Sequence, residues 1–208
     1  GDVLYVATTT GMYKKQLDSN DDFSLIGFDN KNVEAIEVID NLLIFVSLFD
    51  KSGGENPSLN KSDDGGVTWS IINSDFGGEI DEPIFDLEVH PDDKNVLFAT
   101  GYTVVARSET QGVSWQPIYG DWGGFSTGVS VVEVSPVGSK EIWAGGQGAI
   151  ENGFLLRCGD GENWDVWNDL VENPTVVKEI AFSNEHEDEV FVGFEGALLK
   201  TSDGGATW

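Results

Sequence analysis

The chain has 208 residues, 37 acidic against 11 basic, for a net charge of −26. Such a surface repels phosphate backbones and anionic headgroups, which argues against nucleic acid and membranes as partners. The sequence holds no apolar run long enough to cross a bilayer as a helix, and its single cysteine, Cys158, excludes an intrachain disulfide.

The opening residues 3–8 alternate as a strand, and 11–15 and 23–26 continue them as an antiparallel unit. No basic stretch followed by an apolar one precedes them, so no secretory leader is expected in the chain. Four longer units follow. Each starts on an alternating apolar stretch, at 33–39, 84–90, 129–134 and 176–182. A turn rich in Pro, Asp, Asn or Gly comes next, as at 91–95 and 184–188. Second strands follow at 42–46, 96–100, 141–145 and 190–193. A third strand leads into a repeated phrase, and a fourth leaves it, as at 69–72 and 115–119. Short strands punctuated by turn signals every 8 to 12 residues or so indicate an all-β fold.

The phrase reads Lys61-Ser-Asp-Asp-Gly-Gly-Val-Thr-Trp69 in its fullest form and ends on Trp69, Trp115, Trp164 and Trp208, at intervals of 46, 49 and 44 residues. A period in the forties with four strands per unit is the mark of a β-propeller blade. The expectation is one all-β domain over 1–208, a β-propeller of about five four-stranded blades. The repeats fall near 1–28, 29–73, 74–119, 120–168 and 169–208. The first blade lacks its innermost strand and the last its outermost, which makes 18 strands. Uncovered strand edges are templates for pairing. The chain is therefore expected to be a segment of a larger propeller; the alternatives are irregular closure, or another chain covering the gap, as in self-association through the incomplete terminal blades.

The pattern Ser-x-Asp-x-Gly-x-Thr-Trp resembles the Asp-box, or BNR repeat. That repeat belongs to the propellers of sialidases, sortilin-type receptors, xyloglucan-degrading hydrolases and photosystem assembly factors. The match runs through Ser62, Asp64, Gly66, Thr68 and Trp69, and again through Thr201, Asp203, Gly205, Thr207 and Trp208. The third unit has Thr110 in place of the acid and keeps Ser108, Gly112 and Trp115; the fourth keeps Asp160 and Trp164 and is one residue shorter. In the first unit Phe23 stands where the Trp should be. The resemblance implies a structural lock on the face opposite the functional one. In it Asp accepts turn amides, Gly supplies a positive φ, and Trp plugs the gap between sheets.

Function in such propellers sits on the other loops, which join fourth to first and second to third strands. There the chain offers Asp50, Glu55, Asp81, Tyr102, Asp121, Trp122 and Glu151 as candidate ligand-binding residues. Carboxylates beside aromatic rings suit a carbohydrate, or could supply the paired carboxylates of glycoside hydrolysis. Glu37, Glu88 and Glu133 recur at one position of the first strand and are expected to face a central channel. Sialidases grip their substrate's carboxylate with three arginines; this chain has only Arg107 and Arg157, both beside a box, which argues against sialidase activity.

No cofactor is expected. His90 and His186 lack metal-spaced partners, and the acid clusters at 18–22 and 185–189 have oxygen ligands suited to Ca²⁺ but no complete EF-hand spacing. The acidity is read as a solubility device, with a marine or halophilic source as its alternative and an extracellular or periplasmic setting. The expected function is a non-catalytic binding or scaffolding module that docks a protein or glycan on its loop face. The alternative is a fragment of a polysaccharide-active hydrolase, which needs two facing carboxylates.

Overall fold

The computed structural model describes every residue except 1, 51–55, 73, 77–82, 121–127, 149–151, 160–161 and 173–174. Its 18 strands form five antiparallel sheets in which every strand pairs with its sequence neighbours, and no helix occurs among the described residues. The first sheet holds β1 (Val3–Thr8), β2 (Gly11–Gln16) and β3 (Ser24–Gly27). The second holds β4 (Val33–Val38), β5 (Ile44–Leu48), β6 (Ser58–Ser62) and β7 (Ser70–Ile72). The third holds β8 (Asp86–His90), β9 (Asp93–Thr100), β10 (Val105–Ser108) and β11 (Gln116–Tyr119). The fourth holds β12 (Gly128–Val134), β13 (Ile142–Gln147), β14 (Gly153–Cys158) and β15 (Trp164–Trp167). The fifth holds β16 (Val177–Phe182), β17 (Val190–Phe194) and β18 (Ala197–Thr201). Sheets of three, four, four, four and three strands are the expected arrangement. The chain divides into two compact units, one carrying β1–β7 and the other β8–β18.

Central strands are sandwiched, and their sequences say so. β5, Ile-Phe-Val-Ser-Leu, is buried at every position, and β13 and β14 at all but one each. Burial on both faces turns an alternating pattern into a continuous apolar run. The outer strands β7 and β15 have no buried position. Several boundaries differ from expectation: β9 starts at Asp93 inside the expected turn, β8 starts at Asp86, not Ile84, and the second strand of the second sheet starts at Ile44, not Leu42. Asp40 Oδ1 accepts the amides of Leu42 and Leu43, both at 2.9 Å, and so draws them into the turn.

Each unit has its core between sheets. In the first, Met12 meets Val33, Ile44, Val46 and Leu48, with Tyr5, Ala7, Ile26 and Trp69 packed against them. In the second, Phe98 and Val105 of the third sheet join Val132, Val134, Ile142, Ala144 and Leu156 of the fourth. The opposite face of the fourth sheet places Val131, Trp143 and Leu155 against Val177, Ile180, Val190 and Val192 of the fifth. Each fully buried side chain of this kind contributes about 1.5–3 kcal/mol relative to its exposed state. Gly145 shows how closely these layers approach, since a Cβ there would stand 2.8 Å from Val177 Cγ1.

Pairing register slips between Val33 and Ala35, Val129 and Val131, and Val177 and Glu179, so three first strands carry an irregularity at one place. Ser130 exploits it, donating its hydroxyl to the Val177 carbonyl at 2.6 Å and binding the fourth sheet to the fifth. Asp86 ties the third sheet to the fourth by accepting the Val132 amide at 2.9 Å.

Candidate functional site

The repeated phrase forms the loop between third and fourth strands. In the second sheet, Ser62 Oγ donates to Asp64 Oδ1 and accepts the Gly66 amide, both at 2.8 Å. Asp64 accepts the Val67 amide at 3.0 Å, the Thr68 amide at 2.8 Å and the Thr68 hydroxyl at 2.6 Å. These bonds, led by the Thr68 hydroxyl, lower the Asp64 pKa to about 2. The Thr201–Asp203–Thr207 loop repeats the arrangement, and Asp203 is likewise held below its ordinary range, chiefly by the Thr207 hydroxyl. In the third sheet Thr110 does the acid's work without charge, its hydroxyl accepting the Ser114 amide at 2.9 Å. Asp160 lies outside the described residues.

The loop also locks neighbouring sheets. Gly66 sits at φ 84°. A Cβ there would meet Ile26 Cδ1 at 3.1 Å and the Trp69 ring at 3.3 Å. Trp69 Nε1 donates to the Ile26 carbonyl of the first sheet at 3.3 Å, and Trp164 Nε1 to the Ile118 carbonyl of the third at 2.9 Å. Trp115 meets Phe76 edge-on at 5.2 Å. Trp208 stands edge-on to both Trp143 and Trp167, which stack on each other at 5.6 Å.

A second latch, not foreseen as such, is a third-strand cation in the first and fourth sheets. Lys14 Nζ donates to the Gly65 carbonyl at 3.5 Å, and Arg157 Nη1 to the Gly204 carbonyl at 3.1 Å, each reaching the loop of the following sheet. Arg157 also forks onto Glu141 at 2.9 and 2.6 Å. Burial pushes the Glu141 carboxyl up, but the guanidinium outweighs it and the net shift is downward. The signal was legible: Lys14, Lys61, Arg107, Arg157 and Lys200 each lie directly across from an aromatic, namely Tyr5, Phe45, Phe98, Trp143 and Phe191. Glu37, Glu88 and Glu133 flank three of those rings from the other side, opposite Phe45, Phe98 and Trp143, and all three are half-buried.

Grooves open at the phrase end of the sheets. One of about 310 Å³ is lined by Arg157, Asp165, Trp167 and Gly204, and another of about 390 Å³ by Arg107, Glu109, Trp115 and Glu162. Both follow the seams between sheets.

The loops joining second to third and fourth to first strands emerge at the opposite end of each sheet. Of the candidate ligand-binding residues, Asp50 and Tyr102 are described; Glu55, Asp81, Asp121, Trp122 and Glu151 lie outside the described residues. Asp50 follows β5 in the first unit and is half-buried. Tyr102 belongs to the second, is 49% exposed, and stands edge-on to Phe85 with ring centroids 5.2 Å apart. Among the described residues no group of three or more His, Cys, Asp or Glu side chains is placed to hold a metal ion. His90 Nδ1 accepts the Asp92 amide at 3.2 Å, a local turn contact.

No family model and no curated protein matches the sequence. Solved structures do match. The chain is similar to an ancestral GH74 enzyme at 17% identity and a TM-score of 0.67, over 90% of this chain and 27% of that one. It is similar to YCF48 bound to D1 peptide at 15% identity and a TM-score of 0.55, over 98% of this chain and 76% of that one. A third likeness is to the extracellular domain of a hybrid two-component system from B. thetaiotaomicron. There the identity is 10% and the TM-score 0.57, over 99% of this chain and 31% of that one. This chain thus spans under a third of the length of the first and third of these proteins. Identities this low carry the fold alone, and the fold is an all-β structure of the propeller type.

Proposed function

We propose that the chain is a non-catalytic binding module, an Asp-box propeller that docks a protein or glycan on the loops opposite its repeated phrase. The observation that carries this reading is Tyr102, an aromatic ring 49% exposed on the loop between β9 and β10 and braced by Phe85. Exposed rings held rigidly by a neighbour give contact area at little entropic cost, both for sugar faces and for peptide side chains. The hydrogen-bonded loops around Asp64 and Asp203 support the Asp-box assignment, because each carboxylate is consumed within its own loop. The peptide-bound YCF48 structure favours a peptide as one ligand class. Likeness to the ancestral GH74 enzyme favours the second reading, a piece of a polysaccharide-active hydrolase.

Calorimetric titration with β-glucan oligosaccharides and with short peptides tests both. Saturable binding to either, lost in Tyr102→Ala while circular dichroism stays unchanged, supports the module. Release of reducing ends from a β-glucan overturns it in favour of the hydrolase.

A further inference from the structure

In the second compact unit, the third-strand cations of two sheets are answered by carboxylates and that of the third sheet is not answered in the same way. Arg157 holds Glu141 by a fork on Nε and Nη2, at 2.9 and 2.6 Å, and has Asp165 3.8 Å away. Lys200, at the same register position, pairs at 2.6 Å with Glu189, which aligns with Glu141. In the third sheet the cation is Arg107, and Val96 stands where Glu141 and Glu189 stand. Gln116 lies opposite Arg107 where Asp165 lies opposite Arg157. Both replacements are uncharged. Arg107 meets Glu109 through Nη2 at 3.1 Å, a pair with side chains 41% and 69% exposed. Its Nε is buried and donates to nothing among the described residues.

A groove of about 390 Å³ opens beside Arg107, lined also by Thr110, Ser114, Gln116, Glu109 and Glu162. The phrase here has Thr110 in place of the acid, so the position held by Asp64 and Asp203 elsewhere brings no charge to it. A buried donor left without an acceptor is costly, which favours a visiting acceptor. The exposed pair with Glu109 is worth little and yields to a better one. Arg157 shows which acceptor its kind takes on Nε and Nη2, a carboxylate. Around it the groove offers the hydroxyls of Thr110 and Ser114 and the amide of Gln116, all exposed. Glu109, Glu162 and the net charge of −26 oppose a ligand carrying many acids. A sugar with one carboxylate and several hydroxyls meets all three conditions.

We propose that the Arg107 groove binds a hexuronic acid unit. The sugar carboxylate takes the Arg107 donors as Glu141 takes those of Arg157, displacing Glu109, and its hydroxyls meet Thr110, Ser114 and Gln116. The site lies at the phrase end of the third sheet, within one compact unit, and is independent of the loop that carries Tyr102.

Ligand-observed NMR titration of the whole chain with D-glucuronate tests this. D-glucose, which lacks the carboxylate, and N-acetylglycine, which lacks the hydroxyls, serve as comparisons. Glucuronate is expected to bind saturably, and each comparison compound at least about tenfold more weakly. Arg107→Gln is expected to weaken glucuronate by about tenfold or more. Gln116→Asp changes an exposed position, so the fold persists, which circular dichroism checks. It returns the acid that Arg157 faces, and is expected to weaken binding about threefold to fivefold. Glu109→Gln, which removes the competing carboxylate, tightens it by a similar factor. Tyr102→Ala leaves it unchanged, which tells failure here from failure at the loop face. Absence of saturable glucuronate binding overturns the proposal, as does equal binding of either comparison compound. So does binding that Arg107→Gln or Gln116→Asp leaves unaltered, or that Tyr102→Ala removes.

Discussion

Asp64 grips Thr68 twice, accepting its hydroxyl at 2.6 Å through one oxygen and its amide at 2.8 Å through the other. The grip exists only for the ionised carboxyl, whose folded pKa of about 2 lies below its ordinary value of 3.8. A depressed folded pKa means that the stabilisation is complete above the ordinary value and disappears as pH falls through the folded one. The Thr68 amide is therefore expected to stay protected from hydrogen exchange at pH 5 or so and to lose protection between about pH 4 and pH 2. Asp64→Asn removes that pH step and speeds exchange at neutral pH. Proton-resolved exchange measured against pH checks both.

Arg157 of β14 and Glu141, the residue before β13, form a forked ion pair with side chains 27% and 18% exposed. Arg157→Lys keeps the charge and loses the planar fork. It is expected to lower unfolding free energy by about 1.5–3 kcal/mol, the range for hydrogen bonds to charged groups. Glu141→Gln should lose less, since a neutral amide still accepts one bond. With the Glu141 pKa lowered on balance, the pair's contribution persists above the ordinary carboxylate range and fades as pH drops through the folded value. Urea denaturation of the variants at two pH values reads this out.

Leu155 and Leu198 share a register position and differ in surroundings, at 0% and 72% exposure. Leu155→Ala is expected to cost about 2–5 kcal/mol, the sum of lost transfer energy and a cavity. Leu198→Ala should change the stability of a single chain by no more than about 0.5 kcal/mol. Urea denaturation of the two variants side by side gives the comparison.

Gly145→Ala places a methyl group 2.8 Å from Val177 Cγ1 and 3.0 Å from the Phe154 carbonyl oxygen. Overpacking between two sheets that cannot separate freely is expected to cost about 1–3 kcal/mol. A lowered melting midpoint, with Trp143 fluorescence altered by the displaced fifth sheet, would bear this out; an unchanged midpoint would show that the seam yields.

Much of the fold was legible because local and global signals agree. Residues 3–8 alternate in sequence and form β1 without revision, and the Trp spacing placed all five sheets. The phrase was readable as a lock because Asp, Gly and Thr act on atoms a few residues away. What escaped the reading acts across sheets. Nothing in the sequence near Ser130 marks Val177 as its partner 47 residues on, nor Val132 as the donor to Asp86. The cations were visible in every unit, yet Arg107 and Arg157 were weighed only as substrate grips; the reach of Arg157 across its seam depends on which loop the next sheet brings to it. The loop-face site was legible only as a set of residue types, of which Tyr102 and Asp50 have described positions.

The row of cations facing Tyr5, Phe45, Phe98, Trp143 and Phe191 takes five of the 11 basic residues in a chain of net charge −26. Two of these cations, Lys14 and Arg157, reach across a seam, while much of the negative charge lies in turns such as 18–22 and 185–189. The turn at 185–189 shows where structural and colloidal duties meet, since its Glu189 pairs with Lys200 at 2.6 Å and its Glu187 accepts the Ser139 amide at 2.9 Å; a change of acidity there reaches a joint.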